Sequence, residues 1–340
     1  MTKHRTTCLA VVGATVFAGL TFAAPATAQD LAPASEGYVA AIEAVSPGAV
    51  GDADVPAARM DGFVDSPVYS EPEVDLPTSV DVAATLTSPE RTVEIALPFS
   101  GQASDAVVTE DGVTTFDNNN ESATVPVVHE DGSLQIFTVI DGPEAPTRYD
   151  YEITATEGSA LTLVDNGGVV ITDAAGNFEG AVTPPWAKDA SGASLPTHYE
   201  VAGMTITQVV EHSSAAGYPV VADPWLGIQL FGPITRGSWR NDYTYNGAVT
   251  AAGSVVLSGG GGVGGYLAGG AVFRANGWDE WKARWPAVTN KATLKQQFDC
   301  HVAAGSAGLF FTGPYNLERA QSNRSDWAAG VVSHRCNWDK

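Results

Sequence analysis

Between residues 91 and 212 the chain is broken into short runs of alternating apolar and polar residues, each closed by Gly, Asn or Asp, and no other feature constrains the fold as strongly. The runs include TVEIAL (92–97), AVVT (106–109) before Glu110-Asp111-Gly112, VTTF (113–116), ATVPVV (123–128) before Glu130-Asp131-Gly132, and SLQIFTVI (133–140) before Asp141-Gly142. YDYEITA (149–155), ALTLVD (160–165) before Asn166-Gly167-Gly168, VVITD (169–173), HYEVAG (198–203) and MTITQVVEH (204–212) continue the series. A period of two places one side-chain set on each face of a strand, and Gly-containing turns about every ten residues favour antiparallel neighbours. The expectation is an antiparallel sandwich or barrel-like domain over residues 89–223. His129, His198 and His212 lie within or beside these strands at no ligand spacing, and read as packing or sheet-edge residues.

Ahead of this region the chain opens on Lys3, His4 and Arg5, runs uncharged from Thr6 to Ala24, and reaches Ala26-Thr27-Ala28. That order is the form of a secretory signal peptide cut after Ala28, and Gly13, Gly19 and Pro25 argue against a retained anchor. Cys8 leaves with the leader, so Cys300 and Cys336 remain in a chain sent to an oxidising compartment, where a disulfide is expected between them. Residues 29–88 are rich in Ala, Pro, Val, Asp and Glu, with aromatics only at Tyr38, Phe63 and Tyr69. Such a segment buries too little apolar surface to offset its ordering entropy, so disorder is expected, apart from a short helix over residues 36–45 stopped by Pro47.

Charge divides the chain. Residues 29–223 carry 4 basic and 32 acidic side chains, a net of −28, whereas residues 224–340 carry 11 and 7, a net of +4. Two different surfaces follow, with a domain boundary near Asp223 and a C-terminal domain over 224–340. Within that domain, residues 248–273 hold 26 positions without a charge. No Lys-Ser or Lys-Thr follows the glycines, which excludes a phosphate loop. Gly261, Gly265 and Gly269 have the spacing of packed transmembrane helices, but eight glycines over residues 259–270 cost a helix about 1 kcal/mol each. A Gly-rich hairpin with strands at 254–258 and 266–273 is the expectation, and no stable transmembrane span is expected after leader removal.

Trp278, Trp281 and Trp285 then follow at helical spacing before Pro286, as a core-facing stripe or a stacking platform for a ligand. Residues 294–302, with Leu294, Phe298 and Val302 four apart, fit a helix or a strand entering Cys300.

Two resemblances bear on this arrangement. Residues 184–223, PPWAKDASGASLPTHYEVAGMTITQVVEHSSAAGYPVVAD, resemble a region of secreted proteins from high-GC Gram-positive bacteria that stands ahead of differing C-terminal domains. The order Gly277-Trp278 and Glu280, then Gln297-Phe298-x-Cys300-His301, then Asn316-Leu317-Glu318 with Arg319, then Cys336-Asn337, resembles an uncharacterised C-terminal domain family of such proteins. The likeness covers residues 236–338 and departs at Tyr315, where tryptophan is common, and after Arg319, where proline is usual. It implies secretion, a disulfide and a small α+β module, and no activity.

From the residues themselves, the bridge would draw His301 toward His334. Two imidazoles beside Glu318 and Arg319 are the materials of general acid–base catalysis with anion stabilisation, as a nuclease-like exported effector would use. Asn316 and the three tryptophans are the binding candidates. A metal site through Asp299, His301 and His334 is disfavoured, and no cofactor is expected. The reading is a β-rich carrier presenting a module that binds an unidentified extracellular or cell-envelope ligand. A nucleic-acid partner, or a membrane-active toxin, belongs only to the alternative effector reading.

Overall fold

The computed structural model describes residues 28–50, 63–64, 72–109, 112–258, 268–307 and 313–339. The expected leader lies outside them except for Ala28. Two antiparallel sheets face each other. The first orders its strands Phe63–Val64, Glu73–Pro77, Ala84–Thr87, Thr92–Ile95, Arg148–Thr154, Thr205–Val210 and Thr197–Ala202. The second runs Ala160–Leu163, Val169–Thr172, Phe178–Val182, Trp225–Gly227, Leu134–Ile140, Ser122–Val128, Thr114–Asp117 and Val107–Val108, with Trp186–Lys188 and Val220–Asp223 joined beside Leu134–Ile140. The sandwich expected from the alternation is present. Its core interleaves Leu86, Val93, Tyr149, Tyr151 and Ile206 of the first sheet with Phe116, Ile136, Ile140, Val182 and Leu226 of the second.

Strand Arg148–Thr154 alternates exposed and buried at every step, as one solvated face requires. Ser122–Val128 and Leu134–Ile140 are instead buried at all seven positions each. Their outer face is covered by helix α1 (Ala28–Val45), which places Ile42 and Val45 against Val125, Val127, Phe137, Val139 and Val221. Of the segment 29–88, expected to be disordered, the described residues are ordered, while 51–62 and 65–71 lie outside the described residues. The segment supplies this helix and three strands, Phe63–Val64, Glu73–Pro77 and Ala84–Thr87, of the first sheet. The expected helix over 36–45 is part of α1, whose end is held by Glu43 accepting from the amides of Gly48 (2.8 Å) and Val50 (2.7 Å).

The boundary expected near Asp223 falls inside the second sheet. Asp223 ends one strand beside Leu134–Ile140, and Trp225–Gly227 pairs with that same strand and with Phe178–Val182. The C-terminal module begins after Ile228, with a small sheet of Thr235–Trp239, Asp242–Gly247 and Tyr315–Glu318. Its helices are α2 (Ala251–Ser258), α3 (residues 268–272), α4 (Trp278–Arg284), α5 (Ala292–Ser306) and α6 (Val331–His334). A π-helical turn, Phe273–Gly277, joins α3 to α4.

Neither strand of the expected Gly-rich hairpin is formed among the described residues. Residues 254–258 are helical, as are 268–272, while 259–267 lie outside the described residues. Thr250 caps α2, its Oγ1 accepting from the Gly253 amide at 2.9 Å. Gly253 and Gly269, on either side of that stretch, serve contact rather than turning: a Cβ on Gly253 would lie 2.4 Å from the Leu230 carbonyl oxygen, and one on Gly269 only 2.0 Å from that of Val256. Backbones approach here as no larger residue permits, and this close packing offsets the poor helix propensity of glycine. No helix among the described residues is long and apolar enough to cross a membrane.

Phe231 centres the second core, with ring centroids 5.0 Å from Tyr315, 5.5 Å from Phe273 and Trp281, and 5.9 Å from Phe298. Phe178 and Ala181 of the second sheet belong to the same core, so the two domains share apolar packing. An ion pair spans the junction as well: Arg91 Nη1 lies 3.1 Å from Glu280 Oε1, both side chains 7% exposed. Burial pushes the Glu280 carboxyl up to about 7, with Arg91 and the amides of Leu230 and Phe231 opposing the rise.

Candidate functional site

Helix α5 resolves the open reading of residues 294–302. Leu294, Phe298 and Val302 face the core, and the same turns bury Gln297, Cys300 and His301. Gln297 locks the helix to strand Tyr315–Glu318: its Oε1 accepts from the Glu318 amide (2.8 Å), and its Nε2 donates to the Glu318 carbonyl (3.0 Å). Cys300 and Cys336 form the expected disulfide, with Cα atoms 5.5 Å apart.

Around this bridge the expected acid–base constellation is not assembled. His334 spends both ring nitrogens locally, Nδ1 accepting from the Cys336 amide (3.0 Å) and Nε2 facing the Trp327 carbonyl (2.8 Å). The neutral Nε2–H tautomer satisfies both bonds, which leaves no lone pair for a substrate proton. The Glu318 carboxylate accepts from Gln321 and from Asn337 (3.3 Å), tying the C-terminal segment down. Arg319 makes a two-pronged contact with Asp242, Nη1 lying 2.9 Å from each oxygen. Asn316 is exposed and donates to the Pro314 carbonyl at 3.1 Å. Asp299 pairs with Lys295 one turn away and does not join the histidines.

The tryptophans are not a stacking platform. Trp281 is fully buried and Trp278 nearly so, both packed against Phe298. Trp285 is half-buried, its Nε1 donating to the Ile234 carbonyl (2.8 Å) while the Arg236 guanidinium lies 4.9 Å from the ring centroid. A helix of this amphipathic form buries its aromatic stripe wherever a core is available.

What remains is a cluster that no spacing in the sequence announces. His301 Nδ1, Ser306 Oγ and Tyr315 OH are buried atoms without a hydrogen-bond partner among the described residues. The His301 and Tyr315 rings stack, with centroids 4.6 Å apart at 22°. Two glycines lie close beside them. A Cβ on Gly305 would lie 3.8 Å from Tyr315 OH, and one on Gly270 would lie 2.8 Å from Ser306 Oγ and 3.4 Å from Arg274 Nη1. Arg274 sits on the π-helical turn, and its charge reaches the Tyr315 phenol, opposing the rise that burial imposes there. Such turns recur where a helix must present a side chain out of register. Each orphaned polar group costs about 1–3 kcal/mol unless something meets it. The cluster thus gathers two hydroxyls, one imidazole nitrogen and one cation, the materials for holding an oxygen-rich, negatively charged group.

Burial pushes the His301 imidazole down to about 4, so it is neutral at physiological pH. Its folded pKa is therefore below that of the unfolded chain, which takes up the proton first as pH falls. The stabilisation is complete above pH ~6.5 and is lost between there and pH ~4, a drop of roughly 2 kcal/mol from pH 7 to pH 4.5. Urea unfolding at those two values should show this extra loss in the wild type and not in His301→Gln. Equal acid sensitivity in both proteins would refute it.

No protein-family model matches this chain, and no curated protein matches it.

Proposed function

We propose that this is a secreted protein whose acidic β-rich domain carries a C-terminal module that binds an anionic, oxygen-rich group of a cell-envelope polymer. The observation that carries the reading is the trio of buried, unpartnered polar atoms on His301, Ser306 and Tyr315 beside Arg274. The charge division supports it, since the net +4 of residues 224–340 favours an anionic partner that the acidic front would repel. Binding is favoured over hydrolysis because His334, Glu318 and Arg319 are committed to other protein groups. The two resemblances agree with export but name no ligand.

The test is co-sedimentation of the full chain with purified peptidoglycan, with and without its attached anionic polymers. Retention should require the polymers, and Arg274→Ala or Tyr315→Phe should weaken it at least about tenfold, as expected when a charge-assisted contact or a buried hydroxyl contact is lost. Retention unchanged by Arg274→Ala would overturn the assignment.

A further inference from the structure

We propose that the Asp223–Pro224 peptide bond is a self-cleavage site, at which the Asp223 carboxyl group attacks its own backbone carbonyl carbon and expels the Pro224 nitrogen. This is the sole Asp-Pro pair in the chain, and it lies between two strands of the second sheet, shortly before the C-terminal module begins after Ile228.

Four features converge on that bond. Asp223 is 1% exposed, and its Oδ1 has no hydrogen-bond partner within bonding geometry. Its other oxygen is held by Gln135 Nε2 at 2.5 Å, which orients the carboxyl group, while Trp186 lies beside it outside bonding geometry to Oδ1, the attacking atom. Tyr199 OH donates to the Asp223 carbonyl oxygen at 3.4 Å, the atom on which negative charge develops when the carbon is attacked. Burial holds the Tyr199 phenol well above its ordinary pKa, so it stays a donor. The leaving nitrogen belongs to a proline, which carries no amide hydrogen and departs as a secondary amine, more basic than the primary amine any other residue would release.

The surrounding strands fix these atoms. Val220–Asp223 and Trp225–Gly227 both pair with Leu134–Ile140, and the Ile136 amide donates to the Pro224 carbonyl at 2.9 Å. Burial raises the Asp223 carboxyl to about 7, against the pull of Gln135, Trp186 and Lys188, so a protonated fraction is present near neutrality. The steps balance without an oxidant or cofactor. Oδ1 bonds to the backbone carbon, the C–N bond breaks, and the carboxyl proton passes to the proline nitrogen. The product is a five-membered cyclic anhydride at Asp223 and a free secondary amine at Pro224. Water then opens the anhydride, giving a C-terminal aspartic acid, for a net consumption of one water.

Purified full chain should be incubated at neutral pH and run on a denaturing gel. Two fragments are expected, the smaller beginning Pro224-Trp225-Leu226, with hydroxylamine trapped as a hydroxamate on the larger. Asp223→Ala should abolish cleavage, and Tyr199→Phe should slow it about tenfold, with near-ultraviolet circular dichroism confirming that both variants fold. A wild-type chain that stays intact, that cleaves no faster when folded than in concentrated urea, or that cleaves at an unchanged rate in Tyr199→Phe overturns the proposal. The envelope-binding reading stands or falls separately, since Arg274→Ala leaves this bond untouched.

Discussion

Replacing Glu280 by alanine is expected to lower the unfolding free energy by about 3–5 kcal/mol, the cost of leaving a buried charge without its partner. The Glu280 carboxylate accepts from Arg91 Nη1 (3.1 Å), from the Leu230 amide through both oxygens (3.0 and 3.1 Å) and from the Phe231 amide (3.0 Å). Arg91 also donates to the Ile228 carbonyl at 2.6 Å, and its guanidinium lies 5.2 Å from the Phe178 ring centroid. Truncating Glu280 strands the cation, two backbone N–H groups and the chain turning out of the second sheet. Arg91→Ala should cost a similar amount, and the double variant clearly less than the sum of the two, because the second truncation removes the charge that the first one strands. Urea midpoints of the four proteins make the cycle. Additive losses, or a loss below about 1 kcal/mol in Glu280→Ala, would show that the pair is solvated and does not join the domains.

Removing the bridge, as Cys300→Ala with Cys336→Ala, is expected to cost about 4 kcal/mol in the chain-entropy account, since the disulfide closes a long loop. The cysteines are separated by 36 positions, and both are buried in a small cluster with Ala304. Regular structure is sparse after strand Tyr315–Glu318, with only the four residues of α6. That segment is otherwise held by amide contacts, including Gln321 accepting from the Trp338 amide (3.0 Å) and Asn337 reaching Glu318. Hydrogen exchange in the variant should therefore accelerate first over residues 320–339, with the β sandwich still protected. A free-thiol count of two in the wild type, or uniform acceleration across the chain, would contradict this.

The legible part of the fold was that governed by local periodicity. Arg148–Thr154 shows its half-buried face in its own residues, and the Gly turns fall where strands reverse, as at Gly132 and Gly167 with φ of +71° and +89°. What escaped was long-range. Nothing inside residues 28–45 announces that a strand pair nearly one hundred positions away has an apolar outer face to be covered by Ile42 and Val45. The glycines of 248–273 read as a turn because their propensity is local, whereas the close contacts of Gly253 and Gly269 are tertiary.

The site divided in the same way. The cysteine pairing followed from count and compartment, but adjacency to a bridge does not say where an imidazole points. His301 turns onto Tyr315, while His334 turns back to its own loop. Arg274, Ser306 and Tyr315 lie too far apart in the chain for any motif.

Phe178 and Ala181 carry a consequence for how the molecule comes into being. A chain made from its N-terminus completes strand Phe178–Val182 before the residues that will pack on it exist, so the sandwich waits as a ready template with an unfilled apolar seat. The C-terminal module is then expected to condense onto this seat instead of collapsing alone. Folding order is written into the chain order, and a fragment beginning at the junction would lack the surface on which its own core is laid.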